Sequence, residues 1–138
     1  NIRACEYSCM RAQNGREETT LNLDERERRR ELYRLQAMLC QVLADPTRIE
    51  LIELLGEGPK AVKELAQATG QRQAKISQHL AVLRQRGLVH AQRVGTEMHY
   101  SLTDRRILDA CHLTRELLLD QLLRQGEFAE SVLLGERG

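Results

Sequence analysis

The chain has 138 residues, with 21 Lys and Arg against 20 Asp and Glu, and it is 41% hydrophobic with one Phe, three Tyr and no Trp. That length supports one domain, and the mostly aliphatic core is small enough that a partner subunit is expected to complete it. No apolar run approaches the roughly 20 residues that span a bilayer, no secretory signal pattern is visible, and the four scattered cysteines do not make a disulfide scaffold. A reducing cytoplasm is therefore the expected setting. The chain starts at Asn1 rather than Met, which fits a processed or missing extreme terminus.

Residues 1–23 show no periodicity and read as a flexible N-terminal arm. From Asp24 a run of alternating charge leads into Leu32, Leu35, Met38, Leu39, Val42 and Leu43, a helical spacing. Asp45-Pro46 interrupts it and starts a new helix, because Asp caps a helix and Pro suits its first position. That helix is expected over Pro46 to Leu55, with Ile49, Ile52 and Leu55 inward, and Gly56-Glu57-Gly58-Pro59 ends it. A short helix follows from Ala61 to Ala68 with Val62, Leu65 and Ala66 on one side, and Gly70 suits its C-terminal cap. After a turn, a helix from Arg72 to Arg86 buries Ile76, Leu80 and Leu83, and Gly87 stops it. Two short helices joined by a tight glycine-containing turn form a helix-turn-helix pattern.

Two strand-like runs come next, Leu88 to Arg93 and Glu97 to Leu102, joined by Val94-Gly95-Thr96 as a hairpin turn. The second run alternates, with Met98, Tyr100 and Leu102 on one face. From Thr103, read as an N-cap, a long helix extends to about Gln125 with Ile107, Leu108, Cys111, Leu118, Leu119, Leu122 and Leu123 as its apolar positions. It carries more leucine than one small domain covers, so a dimer seam with the Leu32–Leu43 helix is expected. The fold class expected is mainly α with a small two-stranded β wing, a winged helix-turn-helix dimerising through its N- and C-terminal helices. The arm spans residues 1–23, the winged-helix domain 24–125 and a tail 126–138.

Residues Leu65 to Thr96 contain no Asp or Glu, although an even spread of the 20 acids would put between four and five in a window of that length. The window holds Arg72, Lys75, Arg84, Arg86 and Arg93 with His79 and His90. A local basic stretch in a nearly neutral chain suits a polyanion. The polar side of the 72–86 helix offers Gln71, Arg72, Gln73, Lys75, Ser77, Gln78, His79 and Arg84. Gln pairs with adenine edges, Arg with guanine, and Ser or Lys with phosphate. The N-terminal residues of a recognition helix read bases, which puts Gln71, Gln73, Lys75 and Gln78 first. Arg93 and Thr96 near the wing tip are placed for the backbone or the minor groove. Glu97 is unsuited to phosphate, and either orients Arg93 or belongs to a tip that points away. Double-stranded operator DNA is the expected partner, without a membrane.

These residues, in this order, resemble the ArsR/SmtB family of bacterial repressors. The resemblance rests on Leu43-Ala44-Asp45-Pro46-Thr47-Arg48, Ile49-Glu50-Leu51-Ile52, Val62-Lys63-Glu64-Leu65-Ala66, the block Ile76-Ser77-Gln78-His79-Leu80-Ala81-Val82-Leu83-Arg84-Gln85-Arg86-Gly87-Leu88-Val89, and the wing from Arg93-Val94-Gly95-Thr96 to Tyr100-Ser101-Leu102. It covers about residues 32–123. It implies a homodimeric repressor that leaves its operator when an inducer binds. Metal-sensing members often carry Cys-x-Cys where this chain has Val62 to Ala66, and that pair is absent here. Another family site lies along the last helix, where this chain has Asp104, Asp109 and His112 but no downstream His-x-x-Glu pair. Persulfide sensors of the family pair an early cysteine with one in the last helix, as Cys40 and Cys111 do loosely. Cys40, however, precedes Asp45-Pro46 rather than following it.

The cysteines carry the expected signal, a thiol switch or a soft metal or metalloid ion. Cys40 and Cys111 fall on apolar faces of helices expected to pair. Cys5-x-x-x-Cys9 can sit on one helical face and clamp a soft cation, with Cys40, Cys111 or His112 supplying further ligands. The alternative is a winged-helix repressor with purely structural cysteines, responding to a small molecule or to no inducer. An enzyme is not expected: Cys111 and His112 are neighbours, which point about 100° apart on a helix and so make a poor nucleophile and base. No phosphate-binding loop or zinc-protease motif is present.

Overall fold

A computed structural model of the chain describes residues 23–126 together with Val132, Leu134 and Gly135. The arm expected over residues 1–23 therefore lies outside the described residues except for Leu23, as does most of the tail. The chain divides into two units after Leu39. The first described element is helix α1, Leu23–Val42. Asp24 and Glu25 in its first turn suit the positive end of the helix dipole, and Arg28–Asp24 and Arg34–Glu31 pairs at 2.7 Å run along its surface. Leu32, Tyr33, Leu35, Met38 and Leu39 are all exposed.

In the second unit, α2 covers Pro46–Gly56. Asp45 caps it as its sequence suggests: Oδ1 accepts hydrogen bonds from the Thr47 amide at 2.9 Å and the Arg48 amide at 3.2 Å. Its buried stripe is Thr47, Leu51 and Leu55, with Ile52 beside it. Ile49, expected inward, is only half-buried, and Leu51 takes the interior place. Positions 47, 51 and 55 recur every four residues and so lie on one face.

Strand β1 is only Lys60–Ala61, and α3 follows at once as Val62–Thr69. Gly70 ends it in the left-handed conformation, φ +69°, which glycine adopts at no steric cost. Helix α4, Gln73–Gln85, buries Ile76, Leu80 and Leu83 completely. Strands β2, Val89–Val94, and β3, Glu97–Leu102, pair antiparallel from Val89↔Leu102 to Val94↔Glu97. The turn between them is thus two residues, Gly95-Thr96, with Gly95 at φ +65°.

The sheet corrects one expectation. It has three strands in the order β1-β3-β2, because Lys60 pairs with Tyr100 and Ala61 with His99. Helix α5 spans Arg106–Arg124, and its start is a second correction. The Thr103 hydroxyl donates to the Gly87 carbonyl at 2.6 Å, while Asp104 Oδ1 accepts from the Arg106 amide at 2.8 Å. Thr103 therefore ties the strand exit to the end of α4; the N-cap position falls at Arg105, without a side-chain cap, and Asp104 just before it takes the Arg106 amide. Leu108 and Cys111 of α5 join the core built by Leu51, Ile52, Leu65, Ile76, Leu80, Leu83 and Val89. Further along α5, Leu113, Leu117, Leu118 and Leu123 are exposed.

Candidate nucleic-acid interface

The apolar edge of α4 is pinned in the core at three positions, which forces its other side outward. Arg72, Gln73, Lys75, Ser77, Gln78 and Arg84 are exposed there, and His79 is half-buried. No acid lies in the first turn, and no side chain caps the first amides. The positive end of the helix dipole thus carries no acid of its own first turn. Arg93 and Thr96 are exposed on the wing. Glu97 lies 3.6 Å from His99, so the acid at the wing turns to a neighbour on its own strand.

Three elements meet beside α4. A cleft of about 400 Å³ is lined by Ala61 of β1, by Val62 and Lys63 at the start of α3, by Gln73 and Ser77 of α4, and by Glu97 and Met98 of β3. Helix α4 and the turn end of the wing thus share one concave surface with the exposed Lys63. In the sequence Lys63 belongs to the Val62–Ala66 motif, with no signal that places it on this face. The short strand β1, which carries the chain from α2 onto the sheet, puts it there, and a two-residue strand leaves no periodic signal.

Gln71 departs from the group. It is half-buried, and its side-chain amide donates to Thr47 Oγ1 at 2.9 Å, so it faces the first turn of α2 and not the surface that Gln73 and Lys75 share. His79 is near enough to Asp45 to affect it electrostatically. Burial opposes ionisation of Asp45, but the Arg48 amide, His79, the Thr47 amide and the Arg48 charge together outweigh it and lower the carboxyl pKa.

Residues 45–91 match the family described as bacterial regulatory protein, arsR family. Over 88 residues the chain is 39% identical to the HTH-type transcriptional regulator Rv0081 of Mycobacterium tuberculosis, covering 63% of this chain and 77% of that one. The chain belongs to the ArsR family. The crystal structure of Rv0081 superposes with a TM-score of 0.63 at 37% identity, over 68% of this chain and 95% of that one. The homodimeric winged helix-turn-helix DNA-binding domain Mb0332 of Mycobacterium bovis superposes at 0.60 with 30% identity, over 66% and 84%. The arsenical resistance operon repressor of Escherichia coli is 42% identical over 72 residues, 51% of this chain and 62% of the repressor. Rv0081 is a transcriptional regulator and the Escherichia coli protein an operon repressor, and no described helix of this chain is long and apolar enough to cross a membrane.

The sensor candidates sit apart in character. Cys5 and Cys9 lie outside the described residues. Cys40 is exposed and Cys111 buried, both as free thiols. Burial pushes the Cys111 thiol pKa up, the Glu53 carboxylate adds to this, and Arg115 acts the other way. A thiol so placed is held protonated and is a weak nucleophile. His112 turns its Nε2 to Glu53 at 3.0 Å, and Arg115 donates to the same carboxylate at 2.6 Å. Among the described residues no three His, Cys, Asp or Glu side chains gather as metal ligands.

Proposed function

We propose that the protein is a homodimeric repressor that binds a double-stranded operator and is released from it by a signal acting on its thiols. The observation that carries the DNA reading is the exposed face of α4: Gln73, Lys75, Ser77, Gln78 and Arg84 with no carboxylate anywhere from Leu65 to Thr96. Cations beside phosphates release condensed counterions, and Gln and Arg read base edges. The wing residues Arg93 and Thr96 extend the same contact along the duplex.

The dimer is supported by the apolar side chains that α1 and α5 each leave in solvent, since clustered exposed apolar groups mark interaction surfaces, and by the homodimeric Mb0332 domain. Cys40 is the described thiol open to oxidants, reactive sulfur or a soft ion such as the arsenical of the related Escherichia coli repressor. Cys5 and Cys9 are the further ligands it would recruit. A second reading, with Cys111 purely structural and the inducer a small molecule, is favoured by the burial and raised pKa of that thiol. The cytoplasm, where operator DNA lies, is the compartment this function requires.

An operator selected in vitro from random duplexes, followed by fluorescence anisotropy, tests the reading. Specific affinity should fall steeply with salt and drop about tenfold or more for Lys75→Glu or Gln73→Ala. Equal binding to every duplex would overturn the repressor assignment. Replacement of all four cysteines by serine should abolish release by thiol reagents; release that persists would leave only the second reading.

A further inference from the structure

The turn that launches α4 is tied to a residue 24 positions earlier in the chain. Gln71 lies two residues before α4, and its Nε2 donates to Oγ1 of Thr47. Thr47 is 8% exposed, in the first turn of α2. It is held in turn by Asp45, whose Oδ1 accepts from the Thr47 amide. The other side of the turn is stapled by Thr69: its hydroxyl donates to the Leu65 carbonyl at 2.8 Å and accepts from the Gln71 amide at 3.4 Å. Gly70 supplies the reversal at positive φ. The backbone at Gln71 and its side chain are thus both bonded within the protein.

We infer that Gln71 is a positioning residue for DNA recognition, fixing the entry of α4 against α2 through Thr47. This rests on the repressor reading above. The physical case is one of direction. The carbonyl Oε1 of Gln71 is buried with no donor among the described residues, so a full set of partners does not hold the amide; its bond to Thr47 orients it. Side chains that read base edges tolerate displacements of well under an ångström, because hydrogen bonds weaken steeply with distance and angle. Gln73 and Lys75 stand on the first turn of α4, where a small tilt of the helix start moves them most. The tie to α2 limits that tilt. Gln71 has the residue type of a base reader in the sequence and the geometry of a brace in the fold.

The test uses the full chain and the selected operator, at a temperature where circular dichroism shows every variant folded. Gln71→Ala and Thr47→Val should each weaken operator binding about three- to tenfold, the worth of one hydrogen bond. The double variant should lose no more than either single one, since both remove the same bond. Thr47→Ser, which keeps the hydroxyl, should bind as the parent does. The ranking of single-base-pair operator variants should stay unchanged in Gln71→Ala. Hydrogen exchange at the amides of Ile76, Ser77 and Gln78 should quicken in both single variants without DNA. A Gln71→Ala protein that loses discrimination at one base pair, while Thr47→Val keeps it, would make Gln71 a reader and overturn the inference. Additive losses, or no change in affinity or exchange, would overturn it equally. Failure of the parent chain to prefer any duplex would instead sink the repressor reading, and the exchange measurement would still decide whether the tie holds α4.

Discussion

His112 Nε2 of α5 lies 3.0 Å from Glu53 Oε2 of α2, and Arg115, one turn further along, donates to the other carboxylate oxygen. One acid thereby holds two cationic or cation-forming side chains spaced three residues apart on a single helix face. The three side chains are between about a quarter and two-fifths exposed, so water screens part of the attraction. Glu53→Ala should lower unfolding free energy by about 1 kcal/mol, read by urea denaturation. An unchanged midpoint would show that the two bonds add nothing beyond what solvent offers.

Helix α2 packs against Leu108 of α5 through a glycine, Gly56. A Cβ placed on Gly56 would meet Cδ2 of Leu108 at 2.6 Å, and Leu108 is buried with little room to give. Alanine in a helix is favoured over glycine by about 1 kcal/mol, but overpacking a core costs about 1–3 kcal/mol. Gly56→Ala should therefore be destabilising on balance, and adding Leu108→Val should recover part of the loss. A Gly56→Ala protein with a raised melting temperature would contradict this packing.

The two described cysteines should differ in chemistry. Cys40 is exposed, whereas Cys111 is buried with its thiol pKa pushed up by burial and by Glu53. At about pH 8, iodoacetamide followed by peptide mapping should label Cys40 well before Cys111, because only the thiolate reacts. Equal rates would mean that α5 opens readily at this position.

Acid stability carries its own signature at Asp104. Its carboxyl pKa is lowered to about 2, first by the side-chain hydrogen bond from Arg106 and then by the Arg106 amide, with desolvation acting against them. The folded value lies below the ordinary one of 3.8, so the ionised form is the one that folding favours. The contribution is whole above about pH 4 and disappears as pH falls through about 2. The melting-temperature gap between the parent and Asp104→Asn should therefore be widest near neutrality and close on acidification. A gap that grew in acid would reverse the sign.

Much of this fold was legible from local chemistry. The Asp45-Pro46 start of α2, the glycine ends at Gly70 and Gly87, the three-position apolar edge of α4 and the period-two run of β3 all express rules that act within a few residues, where chain neighbours are the only partners required. The acid-free face of α4 belongs to the same class, since burying Ile76, Leu80 and Leu83 dictates which side chains are left for solvent. Tertiary structure alone decided the rest. The strand Lys60–Ala61 exists because β3 offers it an edge. Thr103 gives its hydroxyl to Gly87 instead of capping α5. Gln71 turns from the exposed face of α4 toward Thr47. Each of these is a hydrogen bond or pairing between groups far apart in the chain, and its geometry comes into being only once the helices have packed.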